Sequence, residues 1–381
     1  MKPEISVCLI VKNEEDNITQ CLSSVRDVAN EIVVVDTGSC DNTIAIAKSF
    51  GAKVFFCPWE DNFSKPRNDS LEQASGEWIL MIDADEHLAE ETKHNIKLLS
   101  KREDALGYTF LMEMHPDWSM MRGLRLFRNI PTLRYRGIFH EELTVPRDSI
   151  DKIIPADIKI IHKPASEEEG NRKYERNISL LNKHLCLYPD DIYQMLDLAR
   201  LHLYKDNLAE AEKLLDRAAI LIHQNKKLYS KTKLEVNQAL YYEYKLGLLW
   251  RQKRDIRDSL AVCEEAMSVI PSCPLFYYKA ANLYYKYEQY EQAITYFQKC
   301  LDFGKLDTVE ITIQYPKGIL NDLSLAGMGY CFFRTKQYNR AAQYFESSFA
   351  LKPDQKVKAM LVSSRLLSKK IGSDSPKPSI V

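Results

Sequence analysis

The first hundred residues alternate between short apolar runs and amphipathic segments, and this alternation restricts the fold more than any other feature. The apolar runs are rich in β-branched residues and are shorter than typical helices, so they predict strands. They lie at 4–11, 31–35, 53–56 and 78–82, and the segments with helical spacing lie at 15–26, 41–50 and 65–74. Because strands that alternate with helices are joined by crossovers, the sequence predicts an α/β domain with a mostly parallel sheet.

The second half of the chain has a different regularity, in which small residues recur at fixed positions of a helical pattern. Windows that match this pattern start at Ile192, Leu240, Pro274 and Asp322, which are 48, 34 and 48 residues apart. A spacing of about 34 residues is typical of tetratricopeptide repeats, whose small residues let paired helices approach closely. We therefore predict an all-α repeat superhelix with insertions near 224–233 and 305–317. The single helix predicted at 174–188 would cap it.

Composition excludes several classes of protein. The chain has 381 residues with 52 Lys and Arg against 53 Asp and Glu, so it lacks the cationic surplus of a non-specific nucleic-acid-binding protein. No run of about 18 apolar residues predicts a transmembrane helix, and the first residues lack the apolar core of a signal peptide. The nine cysteines contain no C-x-x-C pair, so we expect reduced thiols and a cytoplasmic location rather than disulfides or a zinc site.

Acidic turns follow two of the predicted strands. Asp36 ends the second strand, and the sequence Asp83-Ala84-Asp85-Glu86 follows the fourth. Ligands of open α/β sheets bind at the carboxyl ends of strands, and residues two apart in extended backbone face the same side. Two carboxylates that point the same way favour a divalent metal that also contacts a phosphate, and Mg²⁺ and Mn²⁺ prefer such oxygen ligands. The alternative is a solvated turn that caps the next helix.

Several short motifs occur in the order found in one enzyme family. They are ISVCLIVKNEE (5–15), EIVVVDTGS (31–39), DNT (41–43), FSKPRN (63–68) and ILMIDADE (79–86). Over residues 4–165 the sequence resembles a family 2 glycosyltransferase of the GT-A fold, which is a Rossmann-like nucleotide-binding fold. The carboxy-terminal repeats resemble those of a bacterial subgroup that includes enzymes glycosylating cysteine or serine in bacteriocin peptides. We therefore expect a glycosyltransferase domain at 1–170 and repeats at 171–370. The polar, proline-containing end of the sequence predicts a disordered tail at 371–381.

The resemblance implies roles for individual residues at the strand ends. The segment from Ile10 through Lys12 to Glu14 would line the nucleotide base pocket, and Asp36 would hold the base or ribose. Arg67 would reach the nucleotide, Asp83 the ribose, and Asp85 the metal on the diphosphate. The implied donor-binding set comprises Ile10, Lys12, Glu14, Asp36, Arg67, Asp83, Ala84, Arg125 and Arg128. Lys12 and Pro66 depart from the commoner Tyr and Ala of the family, which leaves the base preference open.

Five arginines and no acidic residue lie between 122 and 136, a pattern that could hold a diphosphate through charge-assisted hydrogen bonds. Arg125 and Arg128 best match the family's Arg-x-Phe-Arg pattern. A solvated basic face is the alternative for each arginine taken singly.

A His-Glu step follows at 140–141, where the subgroup places its catalytic base. The resemblance therefore implies Glu141 as the base, with Glu142 next, and His162 as a second contact to the metal or diphosphate.

These features lead to the expectation of an inverting glycosyltransferase that depends on Mg²⁺ or Mn²⁺. The donor would be a nucleoside diphosphate sugar, with UDP-glucose first, and the acceptor a Cys or Ser of a peptide or protein. A glycan or lipid-linked acceptor stays open. The repeats would bind the acceptor, present it, or form a homodimer. An inactive transferase-like binding protein is a second hypothesis. A nucleotidyltransferase ranks third, because the acidic segment 12–15 stands where those enzymes carry a glycine-rich phosphate loop.

Overall fold

The computed structural model describes residues 4–164, 167–225, 230–306 and 313–373. The chain divides into two compact units, Met1–Leu201 and His202–Val381. The first unit contains a sheet with its covering helices, and the second is helical. This confirms the predicted fold class, an α/β domain followed by an all-α region. Of the predicted tail, residues 374–381 lie outside the described residues.

The first half of the sheet follows the predicted strand–helix alternation. Strands β1 (Ile5–Val11), β2 (Glu31–Asp36), β3 (Lys53–Phe56) and β4 (Trp78–Met81) run parallel, connected by α1 (Ile18–Val25), α2 (Thr43–Ser49) and α3 (Ser64–Gln73). The central strands β1, β2 and β4 are covered on both faces, which explains their continuous apolar runs. Their carboxyl ends lie together at one edge of the sheet, where Val11 pairs with Asp36.

The second half of the sheet mixes parallel and antiparallel strands. It contains β5 (Glu86–Leu88), β6 (Gly107–Glu113), β7 (Met121–Arg128) and β10 (Ile153–His162), and the strand order is β3-β2-β1-β4-β7-β6-β10-β5. Strand β7 is antiparallel to β4, with Trp78 opposite Arg128 and Leu80 opposite Leu126. The start of β7 therefore lies beside the carboxyl end of β4, and the end of β7 lies at the opposite edge.

Shorter elements complete the first unit. A small antiparallel pair, β8 (Tyr135–Arg136) and β9 (Glu142–Leu143), encloses the segment 137–141. Two short helices, α4 (Glu90–Lys93) and α5 (Ile96–Leu99), and a 3-10 helix (Arg147–Lys152) connect the strands. The long helix α6 (Glu167–Leu187) and most of α7 (Ile192–Tyr204) also belong to this unit, which ends at Leu201.

A buried carboxylate joins three segments at the other edge of the sheet. Glu31 begins β2, and its side chain is 4% exposed. It accepts hydrogen bonds from Lys53 Nζ at 2.6 Å, from the Ser75 amide and hydroxyl at 2.8 and 2.9 Å, and from the Ser6 hydroxyl. The Ser6 hydroxyl in turn accepts from the Gly76 amide, and a Cβ at Gly76 would lie 2.6 Å from it. Only glycine therefore fits this turn before β4.

The second unit is a series of helical hairpins. After α7 come α8 (Leu208–Gln224), α9 (Lys231–Arg251), α10 (Ile256–Val269), α11 (Pro274–Lys286), α12 (Tyr290–Phe303), a 3-10 helix (Lys317–Leu320), α13 (Asp322–Arg334), α14 (Tyr338–Leu351) and α15 (Gln355–Ser373). Helices α7, α11 and α13 begin at the predicted repeat starts. Helix α9 begins at Lys231 instead of Leu240, because it continues through part of the predicted first insertion. Residues 226–229 and 307–312 of the two insertions lie outside the described residues.

Small residues allow close helix packing in this unit, as the repeat pattern requires. A Cβ at Gly329 of α13 would lie 2.8 Å from ring atoms of Phe345 on α14, and Phe345 is fully buried. Ala281, Ala293 and Cys300 of the α11–α12 hairpin are likewise buried. No helix in the described ranges is both long and apolar enough to cross a membrane.

Four turns within the hairpins share one backbone conformation. The turn residues Asp206, Lys253, Glu288 and Lys336 have φ between 54° and 61°. In each turn, the next amide donates to the carbonyl five residues earlier, at 2.8 to 3.0 Å. A left-handed residue, followed by an amide that donates to a carbonyl of the preceding helix, is a common way to end a helix. Its recurrence indicates that the hairpins are built alike.

Candidate functional site

Asp36 shapes the turn at the carboxyl end of β2. Its carboxylate is buried and accepts hydrogen bonds from the Gly38 amide at 3.0 Å and the Ser39 amide at 3.1 Å. Gly38 has φ of 111°, a conformation that favours glycine. The predicted contact of Asp36 with base or ribose stays a prediction.

The loop after β1 is bonded to the loop after β2. The Asn13 amide donates to Ser39 Oγ at 2.9 Å, and Asn13 Oδ1 accepts from the Cys40 amide at 2.8 Å. The Glu14 amide donates to Thr43 Oγ1 at 2.7 Å. These bonds join the predicted base-pocket segment to the turn that carries Asp36. Within it Ile10 and Glu14 are half-buried and Lys12 is exposed.

Five charged side chains of alternating sign form a chain at the carboxyl end of β4. In order they are Glu141, Arg67, Asp83, Arg125 and Glu86, and we call them the charge chain. Arg67 of α3 donates through Nε to Glu141 and through Nη2 to Asp83 at 2.8 Å. Arg125 of β7 donates to Glu86 at 2.6 Å, and its Nη1 lies 3.8 Å from Asp83. The structure thus brings Arg67, Asp83, Arg125 and Glu141 together.

The charge chain sets the ionisation of its members. Burial would raise the pKa of Asp83, but the charges of Arg67 and Arg125 outweigh it and lower that pKa to about 2. Burial would lower the pKa of Arg67, but the charges of Asp83 and Glu141 outweigh burial and raise that pKa above its ordinary value. For Glu86, burial prevails over the charge of Arg125 and raises the pKa to about 7. The site therefore presents two fixed cations and a firmly ionised aspartate.

A cleft of about 450 Å³ opens beside the charge chain, which is within the usual size range of small-molecule sites. Its lining residues are Arg67, Asp83, Gly123, Leu124, Arg125, Tyr135, Glu141, Glu142 and Leu143. Arg67 is 8% exposed, and its Nη1 has no hydrogen-bond partner among the described residues. A buried donor without a partner is costly, so an oxygen-rich ligand at this position would be stabilised.

Asp85 and His162 meet next to the charge chain. His162 Nδ1 lies 3.5 Å from Asp85 Oδ1 and is buried without a hydrogen-bond partner in the described part of the chain. Lys173 Nζ of α6 lies 3.5 Å from Asp85 Oδ2. Across the described ranges, no cluster of three or more His, Cys, Asp or Glu side chains could hold a metal ion. Asp85 and His162 alone fit an ion that takes its other ligands from water and phosphate, as Mg²⁺ commonly does.

The structure places Arg128 away from this site. Arg128 ends β7 opposite Trp78, with its guanidinium over the Trp78 ring at 4.2 Å, and it donates to the Arg102 carbonyl at 2.8 Å. It therefore lies at the other edge of the sheet from Arg125. Ala84 is buried between Asp83 and Asp85.

Glu86 and Tyr135 are two site residues to which the sequence analysis gave no role. Glu86 was visible as the last residue of the acidic turn, but its pairing with Arg125 depends on the fold. Tyr135 lines the cleft and lies under Arg67, whose guanidinium carbon is 5.6 Å from the ring centre.

Two protein-family models match the chain. Residues 6–147 match the model described as glycosyl transferase family 2, and residues 275–303 match a tetratricopeptide repeat. The first range contains the whole charge chain, and the second is the α11–α12 hairpin. The resemblance drawn from the sequence motifs is thereby confirmed.

Curated proteins match parts of the chain. A TPR repeat-containing protein of Synechococcus elongatus is 40% identical over 140 residues, 36% of this chain and 35% of that protein. The SPbeta prophage-derived glycosyltransferase SunS of Bacillus subtilis is 31% identical over 199 residues, 50% of this chain and 47% of SunS. The chain therefore spans about a third to a half of the length of these relatives.

Among solved structures, S. aureus TarS 1-349 in complex with UDP-GlcNAc aligns with a TM-score of 0.38 and 17% sequence identity. The alignment covers 67% of this chain and 95% of that one.

Proposed function

We propose that this chain, which combines a family 2 glycosyltransferase domain with a tetratricopeptide repeat, transfers a sugar from a nucleoside diphosphate sugar to an acceptor. The observation that carries the proposal is the charge chain beside the cleft, at the sheet edge where ligands of α/β folds bind. It supplies cations for a diphosphate and carboxylates for a sugar nucleotide and an acceptor within one site.

The donor half of the site would act as follows. Asp83, ionised at neutral pH, would accept hydrogen bonds from ribose hydroxyls, and Arg67 would donate its unpartnered Nη1 to a phosphate oxygen. Asp85 and His162 would hold Mg²⁺ or Mn²⁺, which would neutralise charge on the diphosphate. Ile10, Lys12, Glu14 and Asp36 would line the base pocket. UDP-glucose is the first donor to test.

The acceptor half of the site would supply the base. An acceptor oxygen or sulfur attacks the anomeric carbon of the sugar, its proton passes to Glu141, and the bond to the diphosphate breaks on the opposite face. A single displacement of this kind inverts the configuration at that carbon. Arg125 and Arg67 would stabilise the negative charge that develops on the leaving diphosphate. Glu142 is exposed at the same cleft and is the second candidate for the base.

For the acceptor we propose a Cys or Ser of a peptide or protein, since tetratricopeptide repeats provide extended binding surfaces. A glycan or lipid-linked acceptor is the alternative within the same chemistry. All nine cysteines are free, which supports a reducing, cytoplasmic location. A homodimer formed through the repeats is a further prediction, which a measurement of molecular mass in solution would test.

The test is a thermal-shift panel of nucleotide sugars with and without Mn²⁺, because it needs no acceptor. A donor at about 100 times its dissociation constant should stabilise the fold by roughly 2.7 kcal/mol. Asp85→Asn should abolish the metal-dependent part of the shift. Glu141→Gln should keep the shift but lose release of the nucleoside diphosphate from the donor.

A panel in which no nucleotide sugar shifts the melting temperature, with or without metal, would contradict the proposal. It would favour an inactive transferase-like domain with a binding role. The exposed Glu77→Gln, at the opposite edge of the sheet near Arg128, serves as the control and should match the wild type in both assays.

A further inference from the structure

We infer that helices α6 and α7 position the catalytic carboxylate of the amino-terminal domain, with Asp197 as the principal positioning residue. The segment they hold is residues 137–141, which we call the Glu141 loop. The inference rests on the proposed function, in which Glu141 acts as the base. It assigns a role to residues outside 6–147, the range matched by the family model.

Three side chains of α6 and the α7 region contact successive residues of the Glu141 loop. His184 Nδ1 accepts from the Ile138 amide at 3.4 Å, and Gln194 Nε2 donates to the Phe139 carbonyl at 2.5 Å. Asp197 Oδ2 lies 2.9 Å from His140 Nε2. All three side chains are buried. Each residue of the loop between Gly137 and Glu141 is therefore fixed by one of these helices.

The opposite side of the Glu141 loop is held by α3. The Ser64 hydroxyl donates to the Gly137 carbonyl at 2.6 Å, and the Phe63 amide donates to the Ile138 carbonyl at 2.9 Å. Because α3 also carries Arg67, the partner of Glu141, the loop lies between the element that binds its carboxylate and the helices that fix its backbone.

The backbone of the loop requires such support. His140 has φ of 48° and Gly137 φ of 102°. For a residue other than glycine, a left-handed backbone conformation costs about 1 kcal/mol or more and persists only where surrounding contacts hold it. His140 directly precedes Glu141, so a relaxation of its φ would swing the Glu141 carboxylate away from the cleft.

Asp197 contacts His140, the residue that directly precedes Glu141. Burial would raise its pKa, but the hydrogen bond from His140 and the charge of Arg200 outweigh this and lower it. Asp197 is therefore a carboxylate that accepts from His140 Nε2 on one oxygen and from Arg200 Nε at 2.7 Å on the other. The His140 ring also packs on Phe139 at 4.1 Å and edge-on to Tyr193 at 5.5 Å.

The experiment compares Asp197→Ala, Asp197→Asn and Arg200→Ala in the full chain. The readouts are the melting temperature, kcat and KM for release of UDP from the donor identified in the panel, and hydrogen–deuterium exchange of the Glu141 loop. Asp197→Ala should lower kcat by about tenfold or more, because small displacements of a catalytic group have large effects on rate. Its KM should stay within about twofold, since the donor contacts are untouched, and exchange in the Glu141 loop should rise.

The other two variants separate positioning from a merely structural role. Asp197→Asn keeps an oxygen that can accept from His140 Nε2, so it should recover most of kcat. Arg200→Ala leaves the His140 contact in place and should match the wild type. The inference is overturned if Asp197→Ala leaves kcat unchanged, or if Asp197→Asn loses as much kcat as Asp197→Ala.

Failure of the proposed function is recognised separately. If the wild type binds and turns over no nucleotide sugar, the exchange measurement still tests positioning of the Glu141 loop by itself. Faster exchange of residues 137–141 in Asp197→Ala, with slow exchange in Arg200→Ala, would then support the positioning contact. Unchanged exchange in both variants would overturn it.

Discussion

Replacing Glu31 with Gln should destabilise the first unit strongly at neutral pH. The Glu31 carboxylate is 4% exposed and accepts hydrogen bonds from Lys53, Ser6 and Ser75. An amide of the same shape keeps part of these bonds but loses the charge that pairs with Lys53. One of its two polar atoms also becomes a donor that faces other donors.

The size of the effect follows from the pKa of Glu31. Burial raises that pKa, but the bonds from Lys53, Ser6 and Ser75 outweigh it and lower the pKa from 4.5 to about 2. The folded state therefore favours the ionised form by about 3 kcal/mol at pH 7. Because the folded pKa lies below the unfolded one, this stabilisation is complete above the unfolded value and is lost as the pH falls through about 2. At pH 3 about 1 kcal/mol should remain.

Urea unfolding followed by tryptophan fluorescence measures this difference, because Trp59, Trp78 and Trp118 lie in the first unit. Glu31→Gln should cost about 3 kcal/mol at pH 7 and about 1 kcal/mol at pH 3. The matched control is Glu77→Gln, whose side chain is 57% exposed and which should change stability little. A cost at pH 7 below about 0.5 kcal/mol, or a cost that does not shrink in acid, would refute the reasoning.

Three further predictions concern the site and the repeats. Arg67→Met should cost about 3 kcal/mol in urea unfolding, because it leaves Glu141 without its cation and Asp83 with only the more distant Arg125, and it should abolish the thermal shift by UDP-glucose with Mn²⁺. Lys173→Ala should tighten Mn²⁺ binding in calorimetry without nucleotide, since an ammonium group no longer competes for Asp85; unchanged or weaker binding would contradict this. Gly329→Ala should destabilise the second unit by about 1–3 kcal/mol in thermal unfolding, because its Cβ would overlap Phe345, and should leave donor binding unchanged.

The sequence predicted those parts of the fold that local patterns determine. The strands at 31–35 and 78–82 are continuous apolar runs that end at acidic turns, and parallel pairing brings these turns to one edge. The position of Asp83 and Asp85 was therefore predictable. Arg125 and Arg128 look equivalent in the sequence, but they lie in a strand antiparallel to β4, so only Arg125 reaches the charge chain.

Other site residues depend on contacts that sequence patterns do not encode. His140 and Asp197 are 57 positions apart, and Arg125 and Glu86 are 39 apart. The local pattern around each acidic residue predicts something other than its observed contact. Glu86 lies in an acidic turn, and Asp197 lies in a helix of the first predicted repeat. Helix α9 likewise departs from prediction, because the repeat window that starts at Leu240 does not show where the helix begins.

The four left-handed turn residues of the repeats allow the stability of the second unit to be changed in small steps. None of Asp206, Lys253, Glu288 and Lys336 is glycine, so each turn retains a conformational cost of about 1 kcal/mol. Stability in a repeat array is approximately a sum over units and their neighbours. Substitution at one of these turns should therefore change the stability of its own hairpin separately, without altering any residue of the charge chain.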